Sequence, residues 1–376
     1  MRFDVAVAGG GVVGWSVAWH LLRRDRSLSV AVFDHAPARG AWNHAVGGIR
    51  TLFESPYHVA MSLYSRKALI RASAELGAVL DLRPNGHLVV AASDDRAAWL
   101  ESMVGTWDGL GVDVRRVTSG QAFELCPVLN VSDLAFAVFS PGDAIYRAPR
   151  VRDAFRRAAR ALGAREVAEE VVGFAEGVVL TSVGGHAARH LVVATGHLSR
   201  DLSAELNLDL PIRAEPHQVV ELPRSRRLPI HAPLTIDADT SLHFRPVEDG
   251  AVASFYDRDL ELSPSRSAVR PSFDPHAGER LRVLAAHRAP GLVPEGFLTG
   301  RNGFYAVTPD RHGIIDRVGD VFVATGFGGN GVMHAPAVGQ AVSELFFGGE
   351  CRTFDLRPFR IGRFAEGGSL SEGFVY

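Results

Sequence analysis

The chain reads as a mixed α/β (α+β) fold, with a Rossmann-like nucleotide-binding domain interleaved with a second domain built on an antiparallel sheet. Three observations predict it. A glycine-rich fingerprint opens the chain, Asp4-Val-Ala-Val-Ala-Gly9-Gly10-Gly11-Val-Val-Gly14. Two later apolar runs, His190-Leu-Val-Val-Ala-Thr-Gly196 and Asp320-Val-Phe-Val-Ala-Thr-Gly326, each end in a glycine turn. Between them lie strand-like segments, Arg213 to Leu222, Ser241 to Pro246, Ala251 to Tyr256 and Gly303 to Val307, bounded by Pro, Asp and Gly.

The fingerprint is justified residue by residue. Val5 to Ala8 is a short apolar run that predicts a buried strand. Gly9, Gly11 and Gly14 follow in the G-x-G-x-x-G pattern. Gly9 permits a tight turn, Gly11 lets the backbone approach a pyrophosphate, and Gly14 lets helix and strand pack closely. The residues after Gly14 are apolar at helical spacing, and a helix N-terminus there offers N–H groups and a positive dipole end to phosphates. A second apolar run, Ser29 to Phe33, ends in Asp34, about 20 residues on, where an acid accepts from a ribose 2′-OH. The competing reading is a glycine-rich turn in some other α/β protein.

Further along, residues 57–77 are helical in pattern. Leu80 to Ala92 and Val112 to Val117 read as strands flanking a helix at Asp95–Leu110. Val151 to Leu162 is an amphipathic helix ended by Gly163, and Val171 to Ser182 alternates like a hairpin. Phe327-Gly-Gly-Asn-Gly331 leads into a helix from Ala335 to Phe347. The last 25 or so residues, rich in Gly, Ser and Arg, read as a wrapping tail. No internal repeat is visible.

Composition narrows the class. With 376 residues the chain is long enough for two domains, and 47% hydrophobic with 22% charged residues suits a globular enzyme. A net charge of −2 implies no basic surface for nucleic acid. Cys126 and Cys351, far apart, suggest neither a disulfide framework nor a metal cluster. Lys67 is the only lysine, so 39 of the 40 Lys+Arg residues are arginine and lysine chemistry has one candidate. No segment approaches the roughly 18 apolar residues that span a bilayer. The N-terminal apolar run is the nucleotide strand rather than a leader, so a cytoplasmic location is expected.

Read together, these elements resemble the D-amino-acid oxidase/sarcosine oxidase family of FAD-dependent amine oxidoreductases over nearly the full chain. The matching residues are Gly9-Gly-Gly-Val-Val-Gly14 with Asp34, His44-Ala-Val-Gly47-Gly48-Ile-Arg50-Thr-Leu-Phe53, Val192-Val-Ala-Thr-Gly196, and His243-Phe-Arg-Pro246 with Asp249-Gly250. Gly303-Phe-Tyr-Ala-Val-Thr308-Pro-Asp310 and Gly326-Phe-Gly-Gly-Asn-Gly331 with Pro336 and Gly339 complete the set. The resemblance implies an FAD-binding domain of residues 1–80, 143–212 and 309–376, and a substrate domain of residues 81–142 and 213–308. It implies hydride transfer from a C–H beside nitrogen, in a small-molecule amine or amino acid, to flavin N5. The imine is then hydrolysed, and O2 or another acceptor takes the electrons. It sets the FAD-contacting residues as Gly9, Gly11, Val12, Val13, Gly14, Asp34, His35, Asn43, His44, Gly47, Gly48, Arg50, Val171, Thr195, Gly196, Gly326, Gly328, Gly329, Asn330, Gly331, Val332 and Met333. Gly47, Gly48 and Arg50 belong beside the ring, Val171 at the adenine, and Gly328 to Met333 at the flavin pyrimidine.

The departures from the family also bear on function. The oxygen-activating lysine of sarcosine oxidases falls at Val252, and the flavin-linking cysteine falls at Gly303, so the FAD is expected to be noncovalent. The lysine of the last glycine motif falls at Met333, and the carboxylate-binding arginines fall at Phe53 and Tyr305. Arg245 then becomes the candidate for a substrate carboxylate; capping the Asp249-Gly250 turn is the alternative. His243, two residues away on one strand face, is a candidate base, or else a hydrogen-bonded structural histidine. Tyr256 and Tyr305 are candidates to close the substrate cage, Arg50 to act on the flavin or to form a surface ion pair. No metal-ligand spacing is present among His197, His217 and His312. The activity classes left open are an oxidase releasing H2O2, a dehydrogenase serving a quinone or carrier protein, and a flavin-binding subunit of a larger assembly. Oligomeric state is left open too.

Overall fold

The N-terminal apolar run becomes β1 (Arg2–Ala8), with Phe3 and Val5 to Ala8 buried. The protein is described by a computed structural model over residues 2–37, 40–256, 273–292, 299–368 and 370. Along the chain follow α1 (Val12–Arg24), β2 (Val30–Phe33), β3 (Gly48–Ile49), α2 (Pro56–Glu75), β4 (His87–Ala91), α3 (Asp94–Gly109), β5 (Arg115–Arg116), α4 (Ser119–Leu125), β6 (Phe136–Ser140) and β7 (Ala144–Ile145). Next come α5 (Ala148–Ala161), β8 (Arg165–Val167), β9 (Val171–Ala175), β10 (Val178–Thr181), β11 (Gly184–Val193), α6 (Ser199–Glu205) and β12 (Arg213–Pro223). The rest are β13 (Leu234–Asp237), β14 (His243–Val247), β15 (Gly250–Ser254), α7 (Pro275–Arg288), β16 (Thr299–Val307), β17 (Ile314–Val318), β18 (Val321–Thr325) and α8 (Gly331–Gly348).

The first sheet runs β17-β18-β11-β1-β2-β8, with the β9–β10 hairpin on β11. Its central pairs are parallel, with Ala8 level with Val193 and Val193 level with Val323. Parallel register puts the carboxyl ends of β1, β11 and β18 side by side. Three glycine turns remote in sequence therefore open at one edge, where α/β sheets bind ligands.

The second sheet runs β16-β12-β15-β14-β13-β4-β6-β5. It is antiparallel as expected except where β13 pairs parallel with β4. The extended run expected over Leu80 to Ala92 shortens to β4, because Asp81 and Gly86 adopt left-handed φ of 55° and 78°. The run at Val112 to Val117 pairs only at Arg115 and Arg116. Strands β6 and β13 and helix α7 were not legible in the sequence. Helix α7 begins at Pro275 behind the cap Asp274, whose side chain accepts from His276 N at 2.9 Å.

Strand alternation gives this sheet two different faces. Leu88, Val90, Val220, Leu222, Phe244 and Ala253 pack with Leu281 and Ala285 of α7. Val89, Val219, Ile236 and Val252 belong to the large core that also holds Val12, Phe327 and Met333 of the nucleotide side. His87, His217, His243, Arg245 and Ser254 share that second face by parity, so polar side chains are aimed at the junction of the sheets. After α8 the tail winds into short 3-10 turns at Arg357–Phe359 and Ile361–Phe364; residues 369 and 371–376 of the expected wrapping tail lie outside the described residues. Among the described residues no helix is long and apolar enough to cross a membrane. Lys67 is exposed on α2.

Candidate active site

The glycine turns are shaped by φ values that side chains resist: +105° at Gly9, +60° at Gly196 and +78° at Gly326. A Cβ on Gly14 would strike the carbonyl oxygen of Gly9, so α1 starts this close to β1 only with glycine there. A Cβ on Gly11 would meet only the Trp42 ring, at 3.9 Å. The turns border a cleft of about 1260 Å³, partly open to solvent. It crosses the strand ends in sheet order: Asp34 and His35 after β2, with Val171 nearby; Gly9, Gly11, Val12 and Val13 after β1; Thr195 and Gly196 after β11; and Gly326, Gly328, Gly329, Gly331 and Val332 after β18. Tyr305 closes that last end.

Several features fit this cleft to FAD. Its length takes in three turns, more than one mononucleotide needs. Asp34 is half-buried, and its Oδ1 accepts from Ala36 N at 3.0 Å. Trp42 Nε1 and His44 Nδ1 are buried polar atoms without a hydrogen-bond partner in the protein, as at a site for a polar ligand. Arg152, legible in the sequence only as one arginine of a helix, donates from Nε to Gly10 O at 3.0 Å and lies over the Trp42 ring. The first turn of α8 carries no acidic residue to offset its positive dipole end. Asn330 precedes α8 without a side-chain cap, and Met333 packs into the core rather than lining the cleft.

The segment from Ala41 to Arg50 forms the wall between cleft and second sheet. Asn43 and His44 lie in a 3-10 turn, and Asn43 Nδ2 donates to Pro37 O at 3.4 Å. Gly47 has φ +86°, and a Cβ on Gly48 would lie 3.2 Å from His87 Nε2. At Gly303 a Cβ would lie 2.6 Å from the Cβ of His44, so a cysteine at this position would have to displace that turn. Burial first, then the charge of Arg301, hold His44 below its ordinary pKa.

Arg50 is the electrostatic centre of the region. It is 5% exposed, with its guanidinium 3.9 Å above the Phe53 ring. Burial, reinforced by the Arg50 charge, lowers His87 to about 3 and takes His334 well below 6.5. Burial lowers His243 to about 4 against a raising bond to Ser241 O, and Arg50 adds to the fall. Burial with the neighbouring His243 takes His217 to about 3. These imidazoles are neutral at pH 7. His243 Nδ1 donates to Ser241 O at 3.0 Å, which leaves the lone pair on Nε2. Ser254 Oγ donates to Gln218 O, so it accepts from His217 Nε2 at 2.8 Å. The His217 ring stacks on Tyr305 at 4.2 Å, and Tyr305 lies 3.0 Å from where a Cβ of Gly329 would stand.

Two of the expected substrate groups are engaged in other bonds. Arg245 shares a face with His243, but its guanidinium is spent on main-chain carbonyls: Nε to Val46 O at 2.5 Å, Nη1 to Pro246 O at 3.1 Å and Nη2 to Tyr146 O at 3.2 Å. It pins the Gly47 loop, and an exclusive role on a substrate carboxylate does not fit these bonds. None of these three bonds reaches the Asp249-Gly250 turn. Tyr256, in turn, is tied by its hydroxyl to Arg311, which lies over its ring at 4.7 Å and pairs with buried Glu215 at 3.0 Å. Arg311 has φ +60°, unusual for arginine, and nothing in its sequence neighbourhood announced it. Asp143, also missed, is fully buried beside Thr51, with Arg66 at 3.7 Å. It accepts from Thr51 N at 3.1 Å and Thr51 Oγ1 at 2.9 Å, while burial raises it to about 6 against those bonds.

Comparison with known proteins places this architecture. The chain is 28% identical to glycine oxidase of Geobacillus kaustophilus over 96% of this chain and 97% of that one. The crystal structure of glycine oxidase from that organism superposes with a TM-score of 0.85, at 26% identity over 96% and 99% of the two chains. L-proline dehydrogenase from P. horikoshii shares the fold, with a TM-score of 0.88 at 24% identity over 97% and 98%. FAD-dependent oxidoreductase domain-containing protein 1 of Xenopus laevis is 27% identical over 96% of this chain and 83% of that protein. The model of the family described as "DAO: FAD dependent oxidoreductase" matches residues 4–345, nine-tenths of the sequence. A fold, a cleft suited to FAD and this match agree: the chain belongs to the DAO family of FAD-dependent oxidoreductases.

Proposed function

We propose that the protein oxidises the C–N bond of a small amine or amino acid, with O2 as the electron acceptor. The observation that carries this reading is the wall of neutral rings, His217, His243 and Tyr305, set against the Gly329 end of the cleft, with the Arg50 charge acting on His243 and Tyr305. The relatives named glycine oxidase and 4-methylaminobutanoate oxidase support the substrate class. FAD, when bound, would supply a two-electron acceptor, so that the carbon beside nitrogen would lose a hydride and the nitrogen a proton to give the imine, and O2 would take up the two electrons with two protons to leave as H2O2.

The protein's residues do the rest. A site made of neutral imidazoles and a fixed arginine disfavours a second cation, so an incoming ammonium loses its proton to solvent and reacts as the free amine. His243 Nε2 accepts a hydrogen bond from that amine and orients its lone pair; at about 4 its pKa is too low to store the proton. Tyr305 closes the apolar side. Arg50 stabilises negative charge on the reduced ring. Arg311 neutralises Glu215 and holds Tyr256 by its hydroxyl. Arg245 and Asp143 hold the Gly47–Thr51 loop. The FAD-binding part is residues 1–80, 143–212 and 309–376, and the substrate part is 81–142 and 213–308. Sheet membership supports this division, since the strands of each eight-stranded sheet fall within one set of ranges.

An anaerobic screen of amines, amino acids and hydroxy acids against the yellow protein tests the reading. Bleaching by a nitrogen-bearing substrate, with peroxide released on admitting air, is expected. Bleaching confined to hydroxy acids refutes the substrate class, and bleaching without peroxide refutes O2 as acceptor.

A further inference from the structure

The tail places one charge deep in the protein. Arg363, in the 3-10 turn after α8, is 1% exposed. Its Nε and Nη2 grip the two oxygens of Asp310 at 2.8 and 3.0 Å, and Nη2 also donates to His312 O at 2.7 Å. Asp310 in turn accepts from Thr308 Oγ1 at 2.9 Å and from His312 N at 3.2 Å. The turn from Thr308 to His312 is thus wound around one buried carboxylate, with the tail arginine as its counter-charge.

Two parts of the proposed site hang from that turn. Arg311 leaves it in the left-handed region, toward Glu215 and Tyr256. His312 leaves it in the other direction and stacks on His58, 4.1 Å between centroids and 12° between planes. His58 packs on Phe53 at 5.1 Å, and Phe53 carries Arg50 at 3.9 Å. Phe359 of the tail supports both imidazoles, at 6.2 Å from His58 and 6.3 Å from His312.

We propose that Arg363 and Phe359 of the C-terminal segment are positioning residues of the flavin site: through the Asp310 turn and the His312–His58–Phe53 stack they set where the Arg50 charge lies. The physical ground is rigidity. A bidentate buried pair has one low-energy geometry, and stacked rings in a packed core move only together. Lysine at 363 offers a single charge centre and cannot span both oxygens of Asp310 and the His312 carbonyl. The inference rests on Arg50 lying beside the ring, so Arg50→Met is the reference.

The test uses the FAD-loaded full chain and two readouts that do not depend on turnover, sulfite affinity of the flavin and its reduction potential. In Arg363→Lys and Phe359→Leu, sulfite Kd rises about tenfold and the potential falls, short of the roughly hundredfold or greater loss that removing an aligned charge can cause in Arg50→Met. Arg357→Met and Arg360→Met alter exposed ion pairs of the same segment, with Asp355 and Glu366, and leave both readouts unchanged. Phe359→Leu is the deciding variant if Arg363→Lys does not fold. Wild-type affinity and potential in Phe359→Leu, beside a shifted Arg50→Met, overturn the proposal alone. An unshifted Arg50→Met overturns the placement of Arg50 and this proposal with it.

Discussion

Asp34→Ala gives a sharp test of the cofactor site. Asp34 directly follows β2, lines the cleft and is half-buried. Its Oδ1 already accepts from Ala36 N at 3.0 Å, which fixes the carboxylate toward the turn of Gly10, whose added Cβ would lie 2.8 Å from Oδ2. A carboxylate at this place can accept from a ribose hydroxyl, while its charge repels a 2′-phosphate. A hydrogen bond with a charged partner contributes about 1.5–3 kcal/mol, so alanine should weaken FAD binding roughly tenfold to a hundredfold. Asn at 34 keeps an acceptor without the charge and should fall between. Titration of apoprotein with FAD, followed by quenching of flavin fluorescence, measures this directly. Circular dichroism checks that the variant folds. An Asp34→Ala protein that folds as wild type and binds FAD with unchanged Kd would refute the ribose contact. A weakened affinity accompanied by loss of the β2 end would show that the Ala36 bond, not the ribose, was responsible.

The other predictions are as follows. Acid or heat should release intact FAD, since the position of the expected cysteine is Gly303 packed on His44; flavin remaining with the denatured polypeptide would contradict this. Arg245→Met should lower FAD retention and disturb the Gly47 loop, with substrate KM changing less, and a pure rise in KM with normal FAD binding would restore Arg245 to the substrate. His243→Ala should slow flavin reduction without removing a pH limb between 5 and 8, because burial holds His243 near 4; loss of such a limb would show that it titrates in that range. Stability should fall as pH drops below 6.5, because His20, His87, His217 and His243 have folded values of about 4, 3, 3 and 4 and the unfolded chain binds the proton first. Each contributes a slope of up to about 1.4 kcal/mol per pH unit over that window. Asp143, raised to about 6, opposes them between its unfolded value of 3.8 and 6. Melting curves from pH 7 to 5 check the sign, and a flat or rising midpoint would refute it.

Much of the nucleotide site was legible because its constraints are local. Gly9, Gly11 and Gly14 act within one strand-turn-helix, where φ and the approach of α1 to β1 settle the residue type without reference to the rest of the chain. The glycine turns after β11 and β18 were also visible, each as a short apolar run ending in small residues. That they face one cleft with Gly9 follows from parallel register, which depends on pairing between residues 185 apart (Ala8 and Val193) and 130 apart (Val193 and Val323) and not on any local pattern. The alternation of β14 placed His243 and Arg245 on one face correctly, since a strand's period is local.

What those side chains do there was decided by tertiary structure. As a cation on the proper face, Arg245 suits either a substrate carboxylate or the Asp249-Gly250 turn. Its three carbonyl partners come from Val46, Tyr146 and its own neighbour Pro246, and the first two are brought in by other elements. No local pattern marks Arg311, which Glu215 of β12 and Tyr256 just after β15 meet only in the folded chain. Nothing local marks Asp143 either, and Arg363 is one arginine of the Gly-, Ser- and Arg-rich tail. The sequence by itself determined the nucleotide turns, the charge balance and the family, because glycine geometry and short-range periodicity act over a few residues. The folded chain alone determined which arginines pair with a buried carboxylate and which hold backbone, because a guanidinium's role is set by the carbonyls and carboxylates that distant strands deliver to it.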